Sequence, residues 1–193
     1  MNKGVRLFIK EEHLALQNRM IVKDDAGNDV FLIVGKWGRL GDMMTVYSMS
    51  GERLVEAKQT LLSVFPKFSL HKNGQYIGSI KKQGGLRGLR KPYVIVTKFN
   101  WLITGDYEKR RFTVRHIAKK IMTIEKTISY SGDFYILNIE NEDHAAIACV
   151  LAVLLDHYVH KKNARWKEYK QEKYSLGLIH SVLLRFKPIK CEK

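Results

Sequence analysis

The sequence has few of the residues that mark disulfide-linked or secreted proteins. Its 193 residues include only 2 cysteines and 3 prolines. Cys149 lies inside an apolar run and Cys191 lies near the end of the chain, so no disulfide framework is indicated. The N-terminus meets charged residues at once and has no long apolar region, which argues against a secretory signal. We therefore expect a cytoplasmic protein.

Long apolar runs are also lacking. The most apolar stretch, residues 145–155, has 11 residues and is followed directly by Asp156 and His157. A helix that spans a membrane needs about 20 apolar residues. The run therefore predicts a buried helix and no transmembrane span.

Acidic residues are few relative to basic ones. The chain has 34 Lys+Arg against 19 Asp+Glu, which gives a formal net charge of +15. Such an excess favours acidic partners, namely anionic phospholipid or nucleic acid. The alternative is an ordinary solvated basic surface.

Motifs for catalysis or cofactor binding are absent as well. The sequence has no Gly-x-Ser-x-Gly motif, and its glycine-rich segments, 35–41 and 84–88, match neither a dinucleotide loop nor a Walker phosphate loop. His157 and His160 stand beside Asp156, but no third metal ligand follows at an informative spacing. We predict no catalytic residues, no metal and no cofactor, and hence a protein that is not an enzyme.

Short strands separated by turns are plentiful. Apolar residues alternate with polar ones from residue 5 to residue 139, with turns near Gly27, Gly51 and Gly74. Asn73 followed by Gly74 is typical of a two-residue hairpin turn. About ten to twelve strands follow at the spacing of antiparallel barrels and sandwiches.

The apolar run then suggests how these strands are arranged. A helix without a polar face must be enclosed on all sides. We predict that it begins near Asn141 or Asp143, extends over about residues 142–159, and is surrounded by a closed sheet, which would also remove exposed strand edges.

The last part of the chain differs in composition. Residues 160–193 contain 10 Lys+Arg and 3 acidic residues. Apolar residues recur at helical spacing between Leu176 and Phe186. This segment, about 174–187, is predicted to pack on the barrel, to form a homodimer contact or to lie on a membrane surface.

The strongest candidate for a binding site is the segment Lys81–Lys91. It has five basic residues, three glycines and no acid. Glycines let backbone N–H groups approach an anion, and lysine and arginine supply charge and hydrogen-bond donors. The residues predicted to bind an anionic headgroup are Lys81, Lys82, Arg87, Arg90 and Lys91. The alternative is a flexible basic loop between two strands.

A second basic cluster follows along the chain. Lys109, Arg110, Arg111 and Arg115 are predicted to form a basic face of the barrel, with Lys119–Lys120 close by. The alternative for this cluster is a solvated strand face.

The chain resembles the LURP-one-related family, whose fold is that of the tubby C-terminal domain and is shared with phospholipid scramblases. The resemblance implies a closed antiparallel barrel of about twelve strands around a central C-terminal helix. The segments that carry it, in chain order, are Leu7–Lys10, Val22–Asn28, Gly51 with Leu61–Phe68, Ile80–Lys82, Gly132–Ile139 and Ala145–Asp156.

We therefore predict a mainly β protein with a barrel domain over residues 1–160 and a basic extension over residues 161–193. The small bacterial members of the family usually stop close after the central helix, so the extension is unusual. The predicted function is a non-enzymatic module that binds phospholipid or another anionic ligand. A nucleic-acid-backbone-binding protein and a purely structural or protein-interaction barrel remain the alternatives.

Overall fold

The computed structural model describes residues 4–11, 18–37, 41–61, 67–83, 93–129 and 132–156. Twelve antiparallel strands form a closed barrel in chain order, and β1 pairs with β12 to close it. This confirms the predicted fold class and strand number. The strands are β1 (Val5–Glu11), β2 (Asn18–Asp24), β3 (Asp29–Lys36), β4 (Met43–Ser48), β5 (Arg53–Gln59), β6 (Lys67–Lys72), β7 (Gln75–Gln83), β8 (Tyr93–Val96), β9 (Trp101–Asp106), β10 (Arg111–His116), β11 (Lys119–Ser129) and β12 (Gly132–Ile139).

The inner wall of the barrel is built from alternate residues of each strand. On β12, for example, Tyr135, Leu137 and Ile139 are buried, while Asn138 between them is exposed. The same alternation runs through β10, where Phe112 and Val114 are buried between exposed arginines. This period of two follows from the strand pleat, and it places the buried apolar residues of these two strands on the inner face of the barrel.

One α-helix, α1, follows the barrel and covers residues 145–156 of the described chain. A 3₁₀ turn, Glu142–His144, precedes it, and the side chain of Asn141 caps that turn by accepting a hydrogen bond from the Asp143 N–H. The helical region therefore begins where the sequence predicts. Glu142 and Asp143 lie in its first turn, where negative charge is favourable.

The helix is buried on every face. Each residue from Ile147 to Leu154 is at most 5% exposed. A helix of this kind needs apolar neighbours on all sides. The inner wall of the barrel supplies such a surface, and Trp101 at the start of β9 packs edge-on against His144 with 4.8 Å between ring centroids.

The two ends of the barrel differ in how their strands are connected. At one end, here called the turn end, short described turns join the strands, and the chain passes from β12 into α1. Asn73 and Gly74 form one of these turns with φ angles of 51° and 76°, as a type I′ hairpin requires. At the opposite end, here called the basic end, the connections follow the odd-numbered strands, and only the one between β9 and β10 is described throughout.

The chain divides into two compact units, Met1–Leu154 and Leu155–Lys193. Nearly all of the second unit lies outside the described residues. The predictions for the extension 161–193 and for the 174–187 segment therefore remain predictions. Within the described part of the chain, no helix is long and apolar enough to cross a membrane.

Candidate anion-binding site

Lys81 and Lys82 lie near the C-terminal end of β7, at the basic end of the barrel. They are strand residues, because β7 continues to Gln83. Lys81 alternates with the buried Ile80 and therefore lies on the outer face. Lys82 occupies the inward-facing register opposite Val94, which is fully buried. The strand thus directs the two neighbouring lysines to opposite sides of the barrel wall.

Lys82 reaches the turn between β9 and β10. Its Nζ atom lies 5.5 Å from the centroid of the Tyr107 ring, a cation–π distance. Tyr107 packs edge-on against the buried Phe112 with 5.1 Å between ring centroids, and burial raises the pKa of its phenol to about 12. The Tyr107 phenol is therefore uncharged at neutral pH, and its ring makes the cation–π contact with the Lys82 ammonium group.

Lys109 and Arg110 belong to the same β9–β10 turn. The Asp106 carboxylate closes this turn by accepting hydrogen bonds from the backbone N–H groups of Glu108 (2.9 Å) and Lys109 (3.1 Å). Arg110 has a positive φ of 54°, and Arg111 begins β10. The turn thus displays three consecutive basic residues beside the end of β7.

The predicted basic face is divided between the two ends of the barrel. Arg111 lies at the basic end, where its Nε is 3.6 Å from a Glu125 carboxylate oxygen. Arg115 lies near the turn end, directly opposite Lys120 on β11. Lys120 in turn lies 3.6 Å from the Glu140 carboxylate. The structure therefore groups Lys109, Arg110 and Arg111 with Lys81 and Lys82, and separates Arg115 from them.

A further lysine on β6 extends the basic surface beside Lys81. Lys67 is the cross-strand partner of Lys81 in the antiparallel pair β6–β7. Side chains directly opposite in such a pair are about 5 Å apart at Cβ, and like charges there are unfavourable. No ion pair joins either lysine to another residue in the described ranges. An anion between the two ammonium groups would relieve this repulsion.

Lys126 is a basic residue of this end that sequence reasoning missed. It is only 8% exposed, and its Nζ lies 5.0 Å from the centroid of the buried Tyr135 ring. A signal was present, because Lys126 follows Met122 and Ile124 on the face of β11 that alternation assigns to the interior. A lysine in that register marks the point where the apolar inner wall becomes polar.

Arg87, Arg90 and Lys91 lie outside the described residues, in the connection between β7 and β8. Their role remains a prediction. No group of three or more His, Cys, Asp or Glu side chains in the described part of the chain could hold a metal ion. Cys149 is fully buried in α1, which raises the pKa of its thiol far above the usual range and makes it a packing residue.

Comparison with known proteins identifies relatives over the barrel and the helix. The family model described as LURP-one-related matches residues 5–156. The chain is 26% identical to a Bacillus subtilis (strain 168) protein named "Uncharacterized protein YxjI". The similarity extends over 152 residues, which are 79% of this chain and 92% of that protein. The X-ray structure of a protein from Arabidopsis thaliana is similar with a TM-score of 0.55 and 16% identity, over 81% of this chain and 93% of that one. At this identity the plant structure supports the fold alone.

Proposed function

We propose, on the premise that the chain belongs to the LURP-one-related family, that this protein is a non-enzymatic module that binds anionic phospholipid headgroups. The binding surface is the basic end of the barrel, formed by Lys81, Lys82, Lys109–Arg111 and the connection with Arg87, Arg90 and Lys91. In this proposal the protein is cytoplasmic and associates with the surface of a membrane.

One observation carries the proposal. Two basic segments that are far apart in the chain meet at one end of the barrel, where Lys82 lies 5.5 Å from the Tyr107 ring. Basic residues near an anionic membrane surface contribute about 1 kcal/mol each, so a group of five is worth several times the thermal energy. The acidic residues that accompany them are engaged, since Asp106 closes its turn and Asp42 is only 4% exposed.

The test compares two variants of equal charge. K81Q/K109Q removes two positive charges from the basic end, and K119Q/K120Q removes two from the turn end. Sedimentation with phosphatidylglycerol vesicles at low salt should show about a tenfold or greater loss of affinity for the first variant, from about 2 kcal/mol of lost attraction. The second variant should stay within about twofold of the unmodified protein, because its lysines lie at the other end of the barrel.

The outcomes separate the proposal from its alternatives. Equal losses in the two variants would show that only net charge matters and would remove the assignment of a site. Failure of the unmodified protein to sediment with phosphatidylglycerol vesicles at low salt would refute lipid binding altogether. Titration of duplex and single-stranded DNA in the same buffer tests the nucleic-acid alternative, for which tighter binding to DNA than to vesicles is expected.

A second variant tests the residues predicted from the sequence alone. R87Q/R90Q/K91Q removes three charges from the connection between β7 and β8. We expect a larger loss of vesicle binding than for K81Q/K109Q, because more charge is removed from the same surface. R115Q/K119Q/K120Q is the control of equal charge at the turn end.

A further inference from the structure

A cluster of hydroxyl groups, an imidazole and lysines lies on the outer face of β6 and β7 and on the turn that follows β8. The Tyr76 hydroxyl lies 2.8 Å from the Ser79 Oγ, and the Ser79 N–H donates to the Thr97 Oγ at 2.8 Å. Ser79 itself is only 1% exposed. The phenol is therefore anchored at its inner side by a buried hydroxyl, while Tyr76 as a whole is 45% exposed.

Gly78 makes this close approach possible. Its φ is 150°, and a Cβ atom at this position would lie 2.4 Å from the Thr97 carbonyl oxygen. Only glycine allows β7 to come so near to the segment after β8. The Thr97 hydroxyl, which also donates to the Ser79 carbonyl at 3.3 Å, is thereby held beside the Tyr76 side chain.

Lys98 and His71 contact the tyrosine, and the charge of Lys67 acts on its phenol. Lys98 places its Nζ 4.6 Å from the centroid of the Tyr76 ring and 3.4 Å from the Tyr76 carbonyl oxygen, to which it donates. His71 packs edge-on against the ring with 5.9 Å between centroids, and its Nε2 lies 3.2 Å from the Ser69 Oγ. Hydrogen bonding with Ser79 and Thr97, together with the charges of Lys67 and Lys98, lowers the pKa of the Tyr76 phenol, as expected for an oxygen with polar and cationic neighbours.

The neighbouring acid does not cancel these charges. Glu56 is the cross-strand partner of His71, but its carboxylate lies 2.7 Å from the Lys58 Nζ and 3.4 Å from an Arg53 nitrogen. These two cations lower the pKa of Glu56 against the opposing effect of its burial. The acid is thus already neutralised by its own partners, and the lysines around Tyr76 remain in excess.

We propose that this outer face binds a phosphate monoester, with Lys67, Lys98 and the Tyr76 hydroxyl contacting the phosphoryl oxygens. A phosphate monoester presents three terminal oxygens and close to two negative charges at neutral pH, which matches two ammonium groups and a hydroxyl donor. A phosphodiester offers fewer oxygens and one charge, so it fits less well. The site extends from this outer face to the turn after β8, and Lys67, which lies opposite Lys81, borders both this site and the basic end of the barrel.

The same phosphoryl group could belong to a soluble molecule or to a lipid. Two probes distinguish these sources: glycerol 3-phosphate, followed by isothermal titration calorimetry, and vesicles that contain phosphatidic acid, followed by sedimentation. Binding of glycerol 3-phosphate indicates a soluble phosphate monoester. Binding to phosphatidic acid vesicles in excess of phosphatidylglycerol vesicles, without measurable affinity for glycerol 3-phosphate, indicates a lipid headgroup.

Two variants test the residues. K67Q/K98Q should lower the affinity for the bound probe by about tenfold or more, since two charge-assisted contacts are lost. Y76F should lower it by about fivefold, because it removes a single hydroxyl donor from a charged acceptor. Y47F, on the outer face of β4, and K119Q/K120Q are the matched controls and should bind as the unmodified protein does. Thermal unfolding of each variant checks that the barrel is intact.

Three results would overturn this inference. One is that neither probe binds in preference to its phosphodiester counterpart, glycerophosphoglycerol or phosphatidylglycerol. Another is that K67Q/K98Q and Y76F bind like the controls. The third is that K81Q/K109Q abolishes binding of the phosphate monoester while K67Q/K98Q leaves it unchanged, which would assign the ligand to the basic end instead.

Discussion

The two ends of the barrel are made from the same strands but differ in how their charged side chains are paired. At the turn end, short turns pair acids with bases, as in the contacts between Arg6 and Asp25 and between Lys120 and Glu140. Both ends have a cross-strand pair of like charge, but at the turn end Lys120, opposite Arg115, has Glu140 as a partner. At the basic end, Lys67 and Lys81 are cross-strand neighbours, and no ion pair joins either of them to another described residue. Repulsion of this kind costs stability unless a ligand offsets it. The comparison teaches that the like-charged pair at the turn end is balanced by an acid, whereas the pair at the basic end carries a cost that the proposed ligand would offset.

The largest effect should come from removing the aromatic packing at the turn end. Trp101 is 3% exposed and lies 4.8 Å from both the Phe99 and His144 rings. Trp101→Ala should lower the free energy of unfolding by about 3–5 kcal/mol, because a large buried side chain leaves a cavity. Chemical denaturation measures this change. Vesicle binding by the folded fraction should stay unchanged, and a selective loss of binding would contradict the assignment of the binding surface to the basic end.

The hairpin turn at Asn73–Gly74 provides a smaller test of the turn end. Gly74 has a φ of 76° with no atom near its missing Cβ, so backbone strain alone opposes a side chain there. Gly74→Ala should cost about 1–2 kcal/mol, the usual penalty of a left-handed conformation in an L-residue. Denaturant titration measures this cost. Lys72→Ala, at an exposed neighbouring position, is the control and should be nearly neutral.

Much of this fold is readable from the sequence because local signals agree with one another. The type I′ turn at Asn73–Gly74, the alternation along β12 and the apolar stretch of α1 each point to the same barrel with an enclosed helix. The site is less readable. Charge density in the sequence predicts Lys81 and Lys109 as binding residues. That the two lie at the same end of the barrel follows only from the direction and register of all the strands.

Two further sets of residues cannot be grouped from the sequence alone. Ser79, Thr97 and Tyr76 are ordinary strand and turn residues in the sequence, and only the close approach at Gly78 brings them together. The inward position of Lys126 is missed for another reason, because a lysine in a strand is ordinarily assigned to the outer face. Its inward position follows from the register of β11 with β12. Contacts between residues far apart in the chain are not encoded by local spacing.

An exposed leucine at the basic end provides a test of the proposed binding surface. Leu61 is 61% exposed and follows β5 at this end. Leu61→Ala should change stability by no more than about 0.5 kcal/mol, as for surface substitutions in general. It should weaken binding to phosphatidylglycerol vesicles about threefold to fivefold, because an apolar side chain among lysines can enter the acyl region. Met49→Ala, at an exposed position of the turn end, is the control; an equal effect of the two would contradict the assignment of the basic end.

The smallest expected effect is a pH dependence of stability at the turn end, from His144. Burial lowers the pKa of this imidazole from 6.5, with Asp143 opposing the shift, and its Nδ1 is buried without a hydrogen-bond partner. A lowered pKa means that the folded state binds a proton less readily than the unfolded state does. The contribution of the neutral His144 imidazole to the stability of the folded state is therefore fully present well above pH 6.5 and decreases as the pH falls through that value. Denaturation of the unmodified protein between pH 7.5 and 5.5 should show this decrease, and His144→Gln, which retains a polar group without the titration, should remove part of it. An unchanged pH profile in that variant would show that other groups cause the acid sensitivity and that the contact with Trp101 does not depend on a neutral imidazole.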